Sequence, residues 1–414
     1  MVQIFNSVLL GIFLQLSQQA YAATLPLEAR HQGSGLNTQF NGGQMTFSDY
    51  VARSRAMIAK THSGVSVAEL DKIIEGNAPF DLKPPASCPS GQSKPYHRGI
   101  LLTHGLTDSP YFMRYLAAFF QENCFRVMTI LLPGHGTQPG DLLDISWQEW
   151  VKAEAFGTDK LAAEVDEVYL AGFSAGGTLS VYQSLRDTRV RGLFLFAPAL
   201  KITPLAALAD LHKIYSWALP SAKWLDIMPD KNIYKYESFP KNAAAQIYAL
   251  TQAVHTQVQE QAVSIPVFAA ASQDDTTVDT PATLEFMAHT LHPSSKLVLY
   301  GTDAMKVPSA IPAEKLEWVN SVVPEQKILS SAHTAIVLPP EDMHYGVAGD
   351  YSNCIHYYPD EMAKYAACNN QPKENWQGEL TEANLKAGTL RRLMYNPHFA
   401  ALKLSMKKFI DGLP

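Results

Sequence analysis

The chain alternates short, uninterrupted apolar runs with longer segments of helical spacing, and this alternation restricts its fold more than any other feature. An apolar run that ends at Gly or Pro is typical of a strand buried on both faces of a sheet. Strands that alternate with helices predict an α/β fold, in which a mostly parallel central sheet carries helices on both faces. The apolar runs cover residues 99–103, 125–132, 168–172, 190–196, 263–271 and 297–300, and helical spacing covers 51–60, 67–74, 111–121, 147–163 and 176–186.

The composition argues against several classes of protein. Of the 414 residues, 47% are apolar, which is ample material for a core. The 39 Asp and Glu outnumber the 33 Lys and Arg, and no basic cluster stands out, so we expect no nucleic-acid partner. After residue 24 no uncharged apolar run is long enough to span a bilayer, so we expect no transmembrane segment in the mature chain. Neither a phosphate loop nor His-x-x-x-His spacing occurs, and the expected chemistry uses no cofactor and no metal.

The first residues predict export. A short apolar run at 8–14 is followed by polar residues and then by Ala20-Tyr21-Ala22, whose small residues suit cleavage after Ala22. We therefore interpret residues 1–22 as a signal peptide and expect a periplasmic or secreted protein. A buried N-terminal helix is the alternative, since residues 1–7 carry no Lys or Arg.

Four cysteines follow this segment, and none belongs to a Cys-x-x-Cys pair. An even number of cysteines in an exported chain allows two disulfides with three possible pairings. Proximity along the chain favours Cys88 with Cys124 and Cys354 with Cys368. Four free, buried thiols are the alternative if the protein is not exported.

The strongest local motif is Gly172-Phe173-Ser174-Ala175-Gly176-Gly177, which follows a predicted strand and precedes a predicted helix. Ser174 would occupy the tip of a strained strand-to-helix turn, where glycines two residues away on each side avoid collisions with neighbouring backbone. The helix N-terminus behind it places the Ala175 amide beside a developing oxyanion. Ser174 is thus a candidate nucleophile, and a purely structural role for this serine is the less favoured interpretation.

A second motif, His104-Gly105-Leu106-Thr107-Asp108-Ser109-Pro110, lies at the end of the first predicted core strand. Acyl transfer needs two N–H donors on the oxyanion, and a loop at this place supplies the second. We assign that donor to the Leu106 amide. A plain glycine turn is the alternative, and His104 is expected to be structural in both cases.

With Leu132-Pro133-Gly134-His135-Gly136, these motifs resemble the α/β-hydrolase-fold serine hydrolases, and among them the monoacylglycerol lipase, lysophospholipase and carboxylesterase group. The resemblance covers residues 97–340 and implies a triad in the order Ser, Asp, His. It implies an acid in the turn after the strand at 263–271, three residues before Val278. That residue is Asp275, with Asp274 as the fallback.

The same resemblance implies a histidine in a loop near the end of the matched region. His333 follows a short apolar strand at 327–330 and is our choice. His344 is the second candidate and His356 the third, because residues 301–326 lengthen the usual interval between acid and histidine.

These observations predict a domain organisation. We expect a signal peptide at 1–22, an N-terminal extension at 23–97 and a hydrolase core made of 98–200 and 263–340. An insertion at 201–262, rich in Trp and Tyr and without a strand signal, is expected to form a helical cap, with extra packing as the alternative. Residues 341–414 are expected to hold a disulfide loop, with the aromatic stretch 351–358 at the pocket rim, and a terminal helix.

The sequence thus predicts an exported serine hydrolase that cleaves carboxylic esters with lipid-like or medium-chain acyl groups. An amidase or aminopeptidase with the same triad is an alternative, as is a non-catalytic binding protein on a hydrolase fold. A dehalogenase is disfavoured, because the candidate nucleophile is Ser and not Asp. The natural substrate and the oligomeric state stay open.

Overall fold

The computed structural model describes residues 26–202, 219–303 and 311–413. The proposed signal peptide and part of the insertion, including Tyr215 and Trp217, lie outside these ranges. The strands are β1 Asp81–Leu82, β2 Tyr96–Thr103, β3 Phe125–Ile130, β4 Val165–Phe173, β5 Val190–Phe196, β6 Trp224–Asp226, β7 Phe239–Pro240, β8 Val267–Ser272, β9 Lys296–Gly301, β10 Leu316–Asn320, β11 Trp376–Gly378 and β12 Leu390–Arg392. The helices are α1 Phe47–Thr61, α2 Val67–Asn77, α3 Arg114–Glu122, α4 Trp147–Ala162, α5 Ala175–Ser184, α6 Lys241–Glu260, α7 Thr280–Ala288, α8 Met362–Asn370, α9 Glu382–Leu385 and α10 Phe399–Asp411.

Eight strands form the central sheet in the order β1-β3-β2-β4-β5-β8-β9-β10. All neighbouring strands are parallel except β1, which runs antiparallel to β3. The prediction of an α/β fold with a mostly parallel sheet is confirmed. The carboxyl ends of parallel strands meet at one edge of such a sheet, and the loops that follow them can converge there on a common site.

Side chains of each central strand alternate between two apolar layers. In β2, Leu101 belongs to one layer and Ile100 and Leu102 belong to the other, and all three are fully buried. Helices α4, α5, α6 and α7 close the first layer, and α3 and α10 close the second. Because both faces are covered, the strands read as continuous apolar runs and not as alternating ones.

The boundaries of two strands differ from the prediction. The run at 263–271 becomes a strand only from Val267, since Pro266 has no amide hydrogen to give to the ladder. Strand β10 lies in a stretch that we expected to be irregular; it is a half-buried edge strand paired only with β9, and it has too weak an apolar pattern to be recognised. The predicted strand at 327–330 is reduced to isolated bridges of Ile328 with Val323 and Gln377.

The N-terminal extension forms two helices, as predicted, and each begins at a capped residue. Thr46 and Asp49 make a reciprocal capping box at α1, and the Ser66 hydroxyl accepts from the Glu69 amide at α2. Tyr50 of α1 exchanges hydrogen bonds of 2.8 and 2.9 Å with the backbone of Leu131. The extension therefore packs against the loop that follows β3 and belongs to the folded body.

The described part of the insertion is only partly helical, and its long helix agrees with the alternative of extra packing. It contains a short antiparallel pair, β6 and β7, whose three and two residues are too few to show a periodic pattern. Helix α6 packs into the first apolar layer through Ile247, Leu250 and Val254, beside α5. This helix is thus part of the core layers.

Both disulfides favoured by proximity are present. Cys88 is bonded to Cys124, and Cys354 is bonded to Cys368. The first joins the loop before β2 to the end of α3, and the second encloses residues 354–368 of the C-terminal segment. Across the described residues, no helix combines the length and apolar character needed to cross a membrane.

Glu154 of α4 is a carboxyl group buried in the core at 1% exposure, and it accepts a 2.6 Å hydrogen bond from Thr103 Oγ1. Burial raises its pKa to about 7 from an ordinary value of 4.5, although hydrogen bonds from Thr103 and Ser180 oppose the shift. The folded state then keeps a proton that the unfolded state releases at lower pH. This group's stabilising contribution is complete below about pH 4.5 and is lost as the pH rises through about 7.

We expect Glu154→Gln to remove this pH dependence, because the amide has no proton to release. We compare the change in the free energy of unfolding, measured with urea, between about pH 5 and pH 8. This free energy should fall by roughly 3 kcal/mol more in the wild type than in the variant. Glu149→Gln is a control on the same helix. Burial raises the pKa of Glu149, but the hydrogen bond and charge of Lys152 and the hydrogen bond from the Phe40 amide outweigh this and lower it. Equal pH slopes for wild type and Glu154→Gln would contradict the prediction.

Candidate active site

Ser174 lies on the turn between β4 and α5. Strand β4 ends at Phe173 and α5 begins at Ala175, so Ser174 alone connects the strand to the helix. Its backbone has φ 52° and ψ −115°, a conformation that residues with a side chain rarely adopt. Strain of this kind is expected of a nucleophile at a strand-to-helix turn.

Two glycines make the turn possible. A Cβ at Gly172 would lie 2.1 Å from the carbonyl carbon of Gly176, and a Cβ at Gly176 would lie 2.1 Å from the carbonyl oxygen of Thr103. Both distances are far inside van der Waals contact, so only glycine lets α5 approach β4 and β2 this closely. The collisions that the sequence predicted at these two positions are confirmed.

The structure brings Ser174, His333 and Asp275 into one hydrogen-bonded row. His333 Nε2 lies 3.0 Å from Ser174 Oγ, and His333 Nδ1 lies 2.7 Å from Asp275 Oδ2. The Asp275 side chain is fully buried, and Ser174 and His333 are 8% and 5% exposed. A base that contacts both a hydroxyl and a carboxylate in this way can activate the hydroxyl as a nucleophile.

Asp275, and not its neighbour Asp274, faces the imidazole. Its second oxygen, Oδ1, accepts hydrogen bonds of 2.8 and 3.0 Å from the amides of Thr277 and Val278. Burial alone would raise the pKa of Asp275, but the charge of His333 and these hydrogen bonds outweigh it and lower the pKa. The carboxylate is thus ionised at neutral pH. Asp274 instead accepts from Thr302 at 3.3 Å.

The two alternative histidines lie elsewhere. His344 pairs with Asp350, and its ring is surrounded by Tyr234, Tyr345 and Tyr351. His356 lies against Tyr357, and burial lowers its pKa to about 4. In the described parts of the chain, neither ring is hydrogen-bonded to the Ser174 hydroxyl or the Asp275 carboxylate. The geometry therefore favours His333 as the base.

The loop that carries Leu106 passes directly over the turn of Ser174. A Cβ at Gly105 would lie 3.2 Å from Ser174 Cβ, so the two backbones approach closely just before Leu106. On the other side, Ala175 is the first residue of α5, and amides in the first turn of a helix lack intrahelical acceptors. Leu106 and Ala175 thus belong to segments that adjoin Ser174, and the role of their amides as oxyanion donors stays a prediction.

Two buried histidines hold the surrounding loops. His104 Nε2 accepts from the Leu132 amide at 3.1 Å, and His135 Nε2 accepts from the Thr107 amide at 3.1 Å. Their rings lie 4.9 Å apart, and burial lowers the pKa of both, that of His135 to about 4. Two neutral imidazoles therefore connect the loop after β2 to the loop after β3, which agrees with the structural role expected for His104.

Lys235, from the insertion, also binds the loop after β2. Its ammonium donates to Thr107 Oγ1 at 2.9 Å and pairs with the buried carboxylate of Asp108. The next residue, Tyr236, donates its backbone amide to the Thr107 carbonyl at 2.8 Å. Thr107 itself has φ 67°, so these contacts stabilise an unfavourable backbone next to Leu106. The sequence did not indicate Lys235, because its partners are more than a hundred residues away.

A cavity of about 550 Å³ lies apart from this row of residues, between α2, the insertion and the C-terminal segment. His344 and Tyr351 line it, whereas Ser174, Asp275 and His333 do not. Tyr351 and Ile355 of the stretch at 351–358 line this cavity, and the expected place of that stretch at the rim of a pocket at Ser174 stays a prediction. Over the described ranges, no three His, Cys, Asp or Glu side chains are placed to hold a metal ion.

Residues 100–364, more than half of the chain, match the model of the alpha/beta hydrolase family. The chain belongs to the α/β hydrolase family. The match includes Ser174, Asp275 and His333, and it ends before the last two helices of the C-terminal segment.

Known α/β hydrolases resemble parts of this chain. A thermostable monoacylglycerol lipase of Bacillus sp. (strain H-257) is 31% identical over 109 residues, which are 26% of this chain and 44% of that relative. The chain therefore spans less than half of the relative's length. The structure of a metagenome-derived lipolytic enzyme (LipS and LipT study) has a TM-score of 0.45 at 23% identity, covering 54% of this chain and 87% of that one. A monoacylglycerol lipase of Paleococcus ferrophilus has a TM-score of 0.41 at 17% identity, covering 52% and 91%.

Proposed function

We propose that this α/β hydrolase is a serine esterase that cleaves carboxylic esters. The observation that carries the proposal is the row of hydrogen bonds from Ser174 through His333 to Asp275, built on a backbone strained at Ser174. The name of the Bacillus relative, a monoacylglycerol lipase, supports an ester substrate.

The reaction follows from the positions of these groups. His333 Nε2 takes the proton of the Ser174 hydroxyl as its oxygen attacks the ester carbonyl. The amides of Leu106 and Ala175 donate to the resulting oxyanion, while Asp275 stabilises the imidazolium. The tetrahedral intermediate collapses, and His333 gives its proton to the departing alcohol. Water then repeats the sequence on the acyl-enzyme and releases the acid.

We further propose that the acyl group is lipid-like or of medium length, and that the protein is exported. The aromatic composition of the insertion supports an apolar acyl site. Two disulfides support an oxidising compartment, since such bonds are rare in reducing ones.

A series of p-nitrophenyl esters from acetate to palmitate tests this function, with the matching p-nitroanilides in parallel. We expect ester turnover that peaks at an intermediate chain length, anilide turnover lower by orders of magnitude, and stoichiometric labelling by a fluorophosphonate probe. Faster anilide hydrolysis would replace the esterase with an amidase. Labelling without turnover of any ester would remove simple esters as substrates, and absence of labelling would favour a binding protein.

A further inference from the structure

The loop that carries His333 is held on both sides by the C-terminal segment. We call residues 328–334 the histidine loop. Before His333, the Leu329 amide donates to the Gln377 carbonyl at 2.8 Å, and Ser330 Oγ accepts from the Glu379 amide at 3.0 Å. After His333, Thr334 Oγ1 donates to the Leu393 carbonyl at 2.7 Å. The parallel strands β11 and β12 therefore form the support of this loop.

Glu379 acts directly on the backbone of His333. Its side chain is fully buried, and Oε2 accepts a 2.9 Å hydrogen bond from the His333 amide. The other oxygen, Oε1, accepts from the Leu380 amide at 2.8 Å. A buried carboxylate is expensive to maintain unless it is paired and hydrogen-bonded, and here both oxygens are satisfied.

Arg392 pairs with Glu379 and also contacts the loop that carries Asp275. Its Nη2 lies 2.8 Å from Glu379 Oε2 and 2.5 Å from Thr277 Oγ1, and its Nε lies 2.7 Å from Glu379 Oε1. Thr277 belongs to residues 274–278, which we call the acid loop, and its amide holds Asp275 Oδ1. One ion pair thus contacts the loops of both the histidine and the acid.

We propose that Glu379 and Arg392 are positioning residues that hold the histidine loop and the acid loop in register for catalysis. The inference rests on the proposed esterase function. Both residues lie beyond residue 364, where the match to the family ends, so the ion pair is an addition of this chain's C-terminal segment to the hydrolase core.

The need for such a support follows from the geometry of the row. His333 has to keep contacts of 3.0 Å with Ser174 and 2.7 Å with Asp275. The histidine loop and the acid loop nevertheless come from different parts of the chain. A displacement of about 1 Å at a reacting group lowers a rate by about 10²-fold. The ion pair acts on Ser174 only through His333 and Asp275, so its removal should change the catalytic rate constant and not substrate affinity.

The double variant Glu379→Leu/Arg392→Met tests the proposal, because it removes the contacts without leaving an unpaired buried charge. We expect kcat to fall about 10²-fold with KM changed less than about twofold. The rate constant for fluorophosphonate labelling of Ser174 should fall in parallel, while circular dichroism stays close to wild type. The thermal midpoint should fall, because the His333 and Leu380 amides lose their acceptor. Thr277→Val, at an exposed threonine, removes only the link to the acid loop and should lower the labelling rate constant several-fold.

The matched control is Glu382→Leu/Lys386→Met, which removes an exposed ion pair of the same segment and should leave all rates unchanged. Wild-type kcat in the Glu379→Leu/Arg392→Met variant would overturn the proposal. So would a smaller labelled fraction with an unchanged rate constant, since that reports folding alone. If the double variant does not fold, an unchanged rate constant in Thr277→Val overturns it. A wild type that is not labelled overturns the esterase function itself, and the proposal falls with it.

Discussion

Replacement of Ser174 by alanine is expected to lower ester turnover by about 10⁶-fold, the loss known for the nucleophile of a serine protease. In the proposed mechanism the Ser174 hydroxyl supplies the oxygen that forms the acyl-enzyme, and no other described hydroxyl contacts His333 Nε2. The fold should persist, because alanine tolerates φ 52° no worse than serine does. The measurement is kcat on the best ester of the series, together with the thermal midpoint.

Ser184→Ala is the control for this loss. Ser184 is the last residue of α5, the helix that follows Ser174; it is half-buried and donates to the Val181 carbonyl at 2.9 Å. Its removal should leave kcat within about twofold of wild type. Retention of turnover in Ser174→Ala would move the nucleophile to another residue and end the proposed mechanism.

His333→Ala is expected to be almost as damaging, again by about 10⁶-fold in kcat. Without the imidazole, Ser174 has no base to take its proton, and the buried Asp275 carboxylate loses the partner that compensates for its burial. His344→Ala is the matched variant, since His344 is also a histidine paired with an aspartate. Because its ring contacts neither Ser174 nor Asp275, it should keep activity within a few-fold of wild type.

The two histidines have to be compared in parallel, at equal amounts of folded protein. A larger loss in His344→Ala than in His333→Ala would mean that the order of roles inferred from the geometry is wrong. A loss in both would indicate that the cavity lined by His344 is connected to the reaction, although no residue of the triad lines it.

The central sheet and Ser174 could be predicted because their signals are local. A strand buried on both faces appears in the sequence as a continuous apolar run. The turn at Ser174 is determined by six consecutive residues, from Gly172 to Gly177. The loop with Leu106 is also contiguous. In each case the residues that determine the conformation are neighbours in the chain.

The neighbouring sequence does not decide between Asp275 and Asp274, or between His333 and His344. Adjacent carboxylates differ only in direction, and that direction is set by the amides of Thr277 and Val278. His333 and Asp275 are 58 residues apart, and only packing of the sheet brings them to 2.7 Å. The family resemblance selected both residues; the residues themselves left the question open.

Ion pairs and hydrogen bonds between distant loops outside the Ser-His-Asp row could not be predicted. Lys235 reaches Asp108 from the insertion, and Arg392 reaches Thr277 from the C-terminal segment, 115 residues away. The spacing of apolar residues along the chain does not indicate such pairs, and a charged residue in a loop usually faces water. For helix α6 the sequence left a cap and extra packing both open, because an apolar helix face fits the core as well as it would fit a lid.

Strands β11 and β12 have a consequence for the order in which the molecule becomes active. Chains are synthesised from the N-terminus, and early segments can fold before later ones exist. Ser174, Asp275 and His333 are all made well before residues 376–392, which support the histidine loop. A nascent chain that has reached residue 364 holds the whole family match but lacks this support. The proposed support by Glu379 and Arg392 therefore predicts that full hydrolytic competence is acquired late in biogenesis, after the C-terminal strands have docked.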